Sequence, residues 1–550
     1  MTTQRAHLPA VRLGAGELAE PLLMAAVAGS LAAFLCWAGP PGTDFAAHAY
    51  QRTVFIDHGF QLWNNLWYAG HYSFITYSLL YYPLAAVFGI KLLAVATVAL
   101  GTFAFTTVLR HEWGLAARWS SAAFAIVWGA FVLTAAFPFA LGVTLALLAV
   151  SALQHGSRGP FVLWAVLTLA ASPLAFLMLA LLLGGVALSG RNDARRLLMP
   201  ALTVAGLCAI EVLLWRLFPS DGRYPFSLDD LALGLGYCSA VMALTWRIER
   251  ARILRFIFLA YAIACVGAYL VPSTLGGNIE RFEYLTVPIT VLVLSLRHWR
   301  PLFATVLLLP FAVWWNVSPL ADSLRSGISD AGNQQSYWEP AVRFLKTHLT
   351  HSYRVEVVGT ARHWEAVYLP DSGIPLTRGW FRQDDFPQNE ALYDHLSSTR
   401  YLRWLRSLGV RYVVLTDSKP DYSAKSEVAL LQSGSSGLRP VVRSASLTVF
   451  SVPAPRRIVT GPAPARVLKL SEGGLVVRIE AAGSYRVAVR YSPYWHASTG
   501  CVAPRADGMT TLRTSGPGIV SLDFSVNADR ALSVLGGGSG STCASSTRLG

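Results

Sequence analysis

Apolar residues in the first 319 positions come in continuous runs close to the roughly 20 residues that cross a bilayer. They do not alternate as they would on the surface of a soluble domain. The runs occupy 21–38, 90–109, 119–136, 139–153, 161–172, 174–188, 197–218, 228–246, 256–271, 285–296 and 302–318, which predicts eleven crossings, some of them short. The stretch 161–188 is too short for two full spans. The arginine-bearing connections on either side nevertheless require it to return to the side it started from, which predicts a bend at Ser172 and Pro173. Broken helices at membrane depth are tolerated where they are buried in protein or line a cavity. From Gln335 the pattern becomes amphipathic. Helical periodicity at 337–349 and 389–408, with strand-like runs at 353–358, 410–416 and 447–452, predicts a small α/β layer. After Pro453, short strands at 475–479, 484–491 and 519–524 separated by turns predict a compact β-sandwich. The expected organisation is a polytopic helical membrane domain at 1–319, a mixed α/β region at 320–453, and a β-sandwich at 454–550. The glycine-rich run 536–541 is expected to be a flexible tail.

Composition supports the division. The 550 residues are 53% hydrophobic and 14% charged, against about 25% charged in ordinary soluble proteins. Of the Asp, Glu, Lys and Arg residues, 32 lie in the first 319 positions and 44 in the remaining 231. This excludes a wholly soluble enzyme, a disordered regulator and a small disulfide scaffold. The net charge of +14 is no nucleic-acid signal, because the cations mark topology. With the N-terminus cytoplasmic, alternate connections hold fourteen arginines: Arg5, Arg12, Arg110, Arg118, Arg158, Arg191, Arg195, Arg196, Arg247, Arg250, Arg252, Arg255, Arg297 and Arg300. The opposite connections hold Arg52, Lys91, Arg223 and Arg281, with Arg216 near a helix end. The positive-inside rule then places the C-terminal domain outside a bacterial plasma membrane. Cys36, Cys208, Cys238 and Cys265 lie in or beside helices. Cys501 and Cys543 are the two cysteines of the outer domain, and an oxidising compartment favours a bridge between them over free thiols.

Candidate chemistry gathers in the outer loops. In the connection 39–89, residues 44–57 suit an interfacial amphipathic helix, with Trp63, Trp67, Tyr68, Tyr72, Tyr77, Tyr81 and Tyr82 as an aromatic belt at headgroup depth rather than sugar-stacking platforms. Either Thr43 or Asp44 caps a helix starting at Phe45, or Asp44 is a general base with His48 one turn along, and spacing alone favours the cap. Asp57, His58 and His71 match no metal-ligand spacing. In the loop 272–284, Asn278 and Arg281 lie about one turn apart. Arg281 suits a phosphate through its planar fork, or a local pair with Glu280 or Glu283. Glu211 falls inside an apolar run, where an ionisable group is either functional or protonated and bonded to a neighbour. Asp221, Asp229 and Asp230 are further carboxylates beside that helix pair, with solvated loop acids the commoner role. Tyr491, Tyr494, Trp495 and His496 are expected to cover the sandwich core rather than bind carbohydrate. No Walker loop, Rossmann glycine fingerprint, HExxH or paired CxxC is present.

The first-helix exit GTDFAAH, the loop ending WYAGHYSFITYSLLYYPL, the segment GGNIERFEYL and the appended mixed domain together resemble the GT-C superfamily of integral membrane glycosyltransferases, which take sugars from polyprenyl-phosphate carriers. The resemblance covers most of the chain. It implies inverting transfer from a polyprenyl-phosphate-linked sugar to a cell-envelope glycan or glycolipid, with Asp44 as base and His48 orienting Asp44 or the sugar. Asn278 and Arg281 would hold the carrier phosphate, and Trp67, His71, Tyr72 and Glu211 would contact substrate. The second acidic residue of many members has no clear match, so no cofactor is required while a divalent metal stays compatible. The implied partners are the lipid-linked donor, the glycan acceptor and membrane lipids, with no nucleic acid. Arabinofuranose and mannose both suit such a protein, and composition does not choose between them. The competing expectations are a transporter or flippase using Glu211 and the break at Pro173, and a catalytically silent envelope-assembly scaffold. Against the transporter, the helical part shows no internal repeat.

Overall fold

The computed structural model describes residues 15–190, 194–220, 222–538 and 540–543; Arg5, Arg12, Arg191 and Asp221 lie outside the described residues. Every apolar run is helical: Ala15–Ala38, Ile90–Trp113, Arg118–Ala130, Phe137–Gln154, Arg158–Ala171, Pro173–Leu188, Ala194–Leu217, Leu228–Thr245, Arg252–Leu270, Thr286–Leu296 and Leu302–Ile328. Among the described residues seven stretches are long and apolar enough to cross a membrane, one of them the 44-residue Ile90–Leu133, which contains two of these helices. Arg158–Ala171 and Pro173–Leu188 are apolar but shorter. The chain is a multi-pass membrane protein. The bend between the two short helices falls at Ser172, which is extended at φ −163° and whose hydroxyl accepts from the Ala175 amide, with Pro173 opening the second helix. Proline there loses only an amide that has no intrahelical partner.

The chain forms two compact units. The helical unit comprises 1–42, 78–209 and 226–328. Its helices pack Ala15–Ala38 on Ile90–Trp113 and Arg118–Ala130, Phe137–Gln154 on Ile90–Trp113 and Arg158–Ala171, and Arg252–Leu270 between Pro173–Leu188 and Leu228–Thr245. Hydroxyls buried between helices reach carbonyls of their neighbours: Thr144 donates to Thr97 O at 3.0 Å, Ser120 to Pro288 O at 2.7 Å and Tyr237 to Thr286 O at 2.9 Å. In an apolar surround such bonds replace those that water would make.

The sheet unit comprises 43–77, 210–225 and 329–550. This division differs from one at residue 319. The helix through Pro319 continues to Ile328, and two segments that lie between membrane helices in sequence cluster with the sheets. A mixed sheet carries the α/β region: Arg354–Val357 runs parallel to Val410–Thr416, which pairs antiparallel with Leu447–Ser451 and that in turn with Arg439–Arg443. The expected helix at 389–408 is confined to Ser398–Ser407, where Ser397 caps the Arg400 amide; Glu390–Leu392 ahead of it is a single 3-10 turn. Two antiparallel four-stranded sheets form the sandwich, one ordered Cys501–Pro504, Met509–Thr514, Gly483–Arg490 and Val459–Thr460, the other Trp495–Ala497, Gly518–Phe524, Gly474–Ile479 and Ala465–Ser471. Tyr494 and Trp495 are buried in its core. Cys501 and Cys543 are bridged. Thr542 also exchanges hydrogen bonds with Val502, so residues 542 and 543 are tied to the sandwich.

The sandwich core takes in side chains from the two inserted segments, Trp63 and Tyr72 from the first and Phe218 from the second. The Trp63 indole stacks on Phe524 at 5.2 Å, meets Trp495 edge-on at 5.6 Å, and donates to the Asn65 side chain. The Asn65 amide and side chain in turn bond Glu472 O and Ser471 O. Tyr494 donates to Leu217 O at 2.7 Å. Truncating a buried tryptophan costs about 3–5 kcal/mol. Trp63→Ala is therefore expected to lower the thermal midpoint of the sheet unit, read by intrinsic fluorescence in detergent; an unchanged midpoint would mean the inserted loop is not part of this core.

Candidate active site

The helix Phe45–His58 ends at Gly59, whose φ of 69° suits glycine. Ala46, Ala47, His48, Tyr50, Gln51 and Val54 are buried in protein, so its apolar face is covered by the fold rather than laid on lipid as the amphipathic pattern predicts. Asp44 occupies the N-cap position but its side chain makes no capping hydrogen bond. His48 is fully buried and lies 6.0 Å from Tyr77 in a stacked arrangement. Gln51 accepts from Ser73 at 2.8 Å, Tyr50 accepts from Asn64 at 3.0 Å, and Phe45 stacks on Trp364 at 6.1 Å.

The turn after Trp67 is strained. Tyr68, Ala69 and Gly70 have φ of 56°, 57° and 109°, and left-handed backbone at non-glycine residues costs on the order of 1–3 kcal/mol each. The surroundings hold it. The Arg490 amide donates to Ala69 O at 2.8 Å and its Nε to Tyr68 O at 3.0 Å. A Cβ on Gly70 would come within 2.6 Å of the Trp63 ring. The turn delivers His71 and Tyr72 to a short ladder with Trp63 and Asn64. Trp63, Trp67, Tyr68, Tyr72, Tyr81 and Tyr82 are all buried, which corrects the expected headgroup belt. Trp67 is 0% exposed, donating to Ala366 O, and Tyr72 sits in the sandwich core bonded to Ser492.

The partner of this turn is the segment TRGWFRQDDF, 377–386, which sequence reasoning did not single out. A Cβ on Gly379 would lie 2.5 Å from the Trp67 indole, so only glycine lets the backbone cross that ring. Phe381 then packs against Trp67, His71 and Tyr77, with centroids 5.7, 5.9 and 4.9 Å away. Arg382 bonds Asp421 at 2.9 Å and lies 4.1 Å above the Tyr422 ring, while Asp385 accepts from Tyr393 at 2.8 Å and Asn389 at 3.0 Å. Burial disfavours the charged form of His363, but the hydrogen bonds it donates to Asp421 and Glu365 outweigh it and hold its pKa near 9. The remaining acid, Asp384, faces His71 with Oδ2 3.4 Å from Nδ1. Burial pushes Asp384 up to about 7, with Asp385 adding to the shift and Arg490 opposing it. Burial also pushes His71 down to about 3. At neutral pH His71 is thus an uncharged imidazole. An acid pair beside two aromatics and a glycine was the signal available in the sequence, but nothing local tied it to His71.

Asn278 and Arg281 belong to the helical unit, in the ten-residue 3-10 stretch Gly276–Leu285. Such stretches rarely exceed three or four residues and often mark function. Asn278 donates to Thr274 O at 3.1 Å, and the Arg281 guanidinium lies 5.7 Å from the Phe139 ring centroid. Burial raises Glu280 to about 7, with Asp230 adding to the shift, and burial raises Glu283 to about 8, with Glu280 adding. Asp229 and Asp230 open the helix Leu228–Thr245, where Ser227 caps the Asp230 amide. Glu211 is half-buried near the end of Ala194–Leu217, hydrogen-bonded to Trp215. The structure therefore gathers Asp44, His48, Trp67, His71 and Tyr72 in one unit and Asn278 and Arg281 in the other. Among the described residues no three His, Cys, Asp or Glu side chains converge to hold a metal ion.

The chain is similar to a solved structure of the arabinofuranosyltransferase AftD from Mycobacteria, at 14% identity and a TM-score of 0.46, over 92% of this chain and 57% of that one. A structure of a mutant of the same protein matches at 14% identity and a TM-score of 0.47, over 92% of this chain and 60% of that one. The chain thus spans under two thirds of the length of these structures. No protein-family model and no curated protein matches it.

The His71–Asp384 pair leaves a signature in stability. Between about pH 4 and 6.5 the folded pair carries one proton, on Asp384, and the unfolded pair also carries one, on the histidine, so its contribution to stability is flat. Asp384→Asn leaves the histidine term alone, and stability should fall as pH drops from 6.5 to 4 by up to about 1.4 kcal/mol per unit. His71→Gln leaves the carboxyl term alone, and stability should fall as pH rises over the same range. Thermal midpoints measured across this range would show opposite slopes in the two variants; parallel slopes would mean the two groups are not buried as described.

Proposed function

We propose that the protein is an integral membrane glycosyltransferase that moves a sugar from a polyprenyl-phosphate carrier onto a cell-envelope glycan or glycolipid outside the plasma membrane. The observation that carries this reading is Asp44. It stands at the head of the helix Phe45–His58, whose other side is locked in the fold. The acid lies just past the first apolar helix, in the position where the sequence resembles the GT-C enzymes, and there it would serve as the base. The paired aromatic and acidic groups of the sheet unit suit an acceptor sugar, with Tyr77, Trp380 and Asp384 only half-buried.

In the proposed step Asp44 takes the proton of an acceptor hydroxyl as that oxygen attacks the anomeric carbon of the donor. The bond from this carbon to the phosphate oxygen breaks with inversion, and its electron pair leaves with the polyprenyl phosphate. Arg281 offers the planar fork that balances the charge gathering on that phosphate. His48, buried against Tyr77, positions the helix rather than touching substrate.

The test uses purified full-length protein in liposomes with a labelled sugar on polyprenyl phosphate from a membrane extract. Asp44→Asn is expected to reduce transfer by roughly 10²–10⁴-fold, and Arg281→Gln by roughly 10²–10³-fold, at unchanged thermal midpoints. Equal transfer by Asp44→Asn would remove it as the base. No transfer by the unmodified protein across a broad donor set would overturn the enzyme reading in favour of a transporter or a scaffold.

A further inference from the structure

The helical unit lines a partly open cavity of about 1570 Å³, larger than the roughly 300–1,000 Å³ of pockets for small molecules. Its walls are side chains of Ile90–Trp113, Phe137–Gln154, Pro173–Leu188, Ala194–Leu217 and Arg252–Leu270, such as Phe105, Val143, Leu183, Val204 and Phe258. One wall, Ala194–Leu217, is only 11% buried by protein along its apolar window, so the cavity is bounded on that side by a helix that otherwise faces lipid.

The polar lining is confined to one end. There Ile90–Trp113 and Phe137–Gln154 finish and Arg158–Ala171 and Ala194–Leu217 begin, contributing Arg110, His111, Glu112, His155, Arg158 and Arg196. Arg110 is paired with Glu20 at 2.5 Å. Glu112 is the one acid among the lining residues. The His111 and His155 rings lie 5.6 Å apart, and Arg158 and Arg196 are exposed. The opposite end is apolar, reaching Phe282, Leu285 and Ile289. A long apolar chamber with a cationic mouth is complementary to a lipid whose head group is an anion.

We propose that this cavity binds an anionic phospholipid, with its acyl chains among the apolar walls and its phosphate at Arg158 and Arg196. The polyprenyl-phosphate donor is a poor fit for the same place. In the proposed transfer its phosphate belongs near Arg281, in the segment at the far, apolar end, whereas the cations of this cavity draw a head group to the other end. The site is therefore independent of the proposed transferase reaction and stands or falls without it.

Native mass spectrometry of the full-length protein in detergent tests this, titrating phosphatidylglycerol, phosphatidylcholine of the same chains, and a polyprenyl phosphate. Phosphatidylglycerol is expected to be retained at least tenfold more tightly than phosphatidylcholine. The double variant Arg158→Gln/Arg196→Gln should erase that preference, and Val204→Trp, which fills the cavity and leaves the cations, should abolish retention of both. The two arginines are exposed, so the double variant should keep the parent thermal midpoint and report even if the tryptophan variant does not fold. Equal retention of the two phospholipids, a preference that survives the double variant, or displacement of phosphatidylglycerol by an equal amount of polyprenyl phosphate would each overturn the proposal.

Discussion

The burial of aromatic side chains from one connecting loop is the constraint on which the rest of the sheet unit depends. Trp63 and Tyr72 complete the sandwich core, and Trp67 is buried against Tyr50 and Phe381. Because these rings are interior, the segment between them must follow a fixed path, and the left-handed turn at 68–70 is the strain accepted for it. The same burial fixes the helix that Asp44 heads, since Tyr50 lies 4.5 Å from Trp67 and bonds Asn64.

Charge does for the facing loop what apolar burial does for this one. Arg378, just before Gly379, is buried between Glu356 and Glu427, with its Nε 2.8 Å from Glu356 and Nη2 2.7 Å from Glu427. Tyr401 also donates to Glu427. Burying such a triad is costly, and losing one member leaves an uncompensated charge, so it specifies one arrangement more than it adds stability. Four residues on, Arg382 on Asp421 fixes the other end. The backbone between these two anchors has little freedom, and Asp384 is held toward His71 as a result.

The helical unit solves a different problem with the same residue types. Its arginines cluster where helices end, and most of them can be understood as topology signals at a membrane surface. Arg158 and Arg196 differ in that the helices they start line an apolar chamber. A cation at a helix end is ordinary; a cation at the mouth of a cavity of this size is a means of selecting what enters.

The sequence by itself determined the helices that its long apolar runs form, the break at Ser172 and Pro173, and six of the strands to within a residue or two, including Val410–Thr416. Those features rest on local periodicity and local turn chemistry, which neighbours along the chain report. Asp44 was legible as a residue beginning a helix for the same reason. What only the tertiary structure decided is where the aromatic loop goes. A run such as WYAGHY has the composition of an interfacial belt and of a protein core alike, and the choice is made by Trp495, Phe524 and Arg490 more than 400 residues away. The pairing of His71 with Asp384 and the cationic mouth of the helical cavity were invisible for that reason too: each joins residues whose separation along the chain carries no pattern, and only their approach in space gives them a shared chemistry.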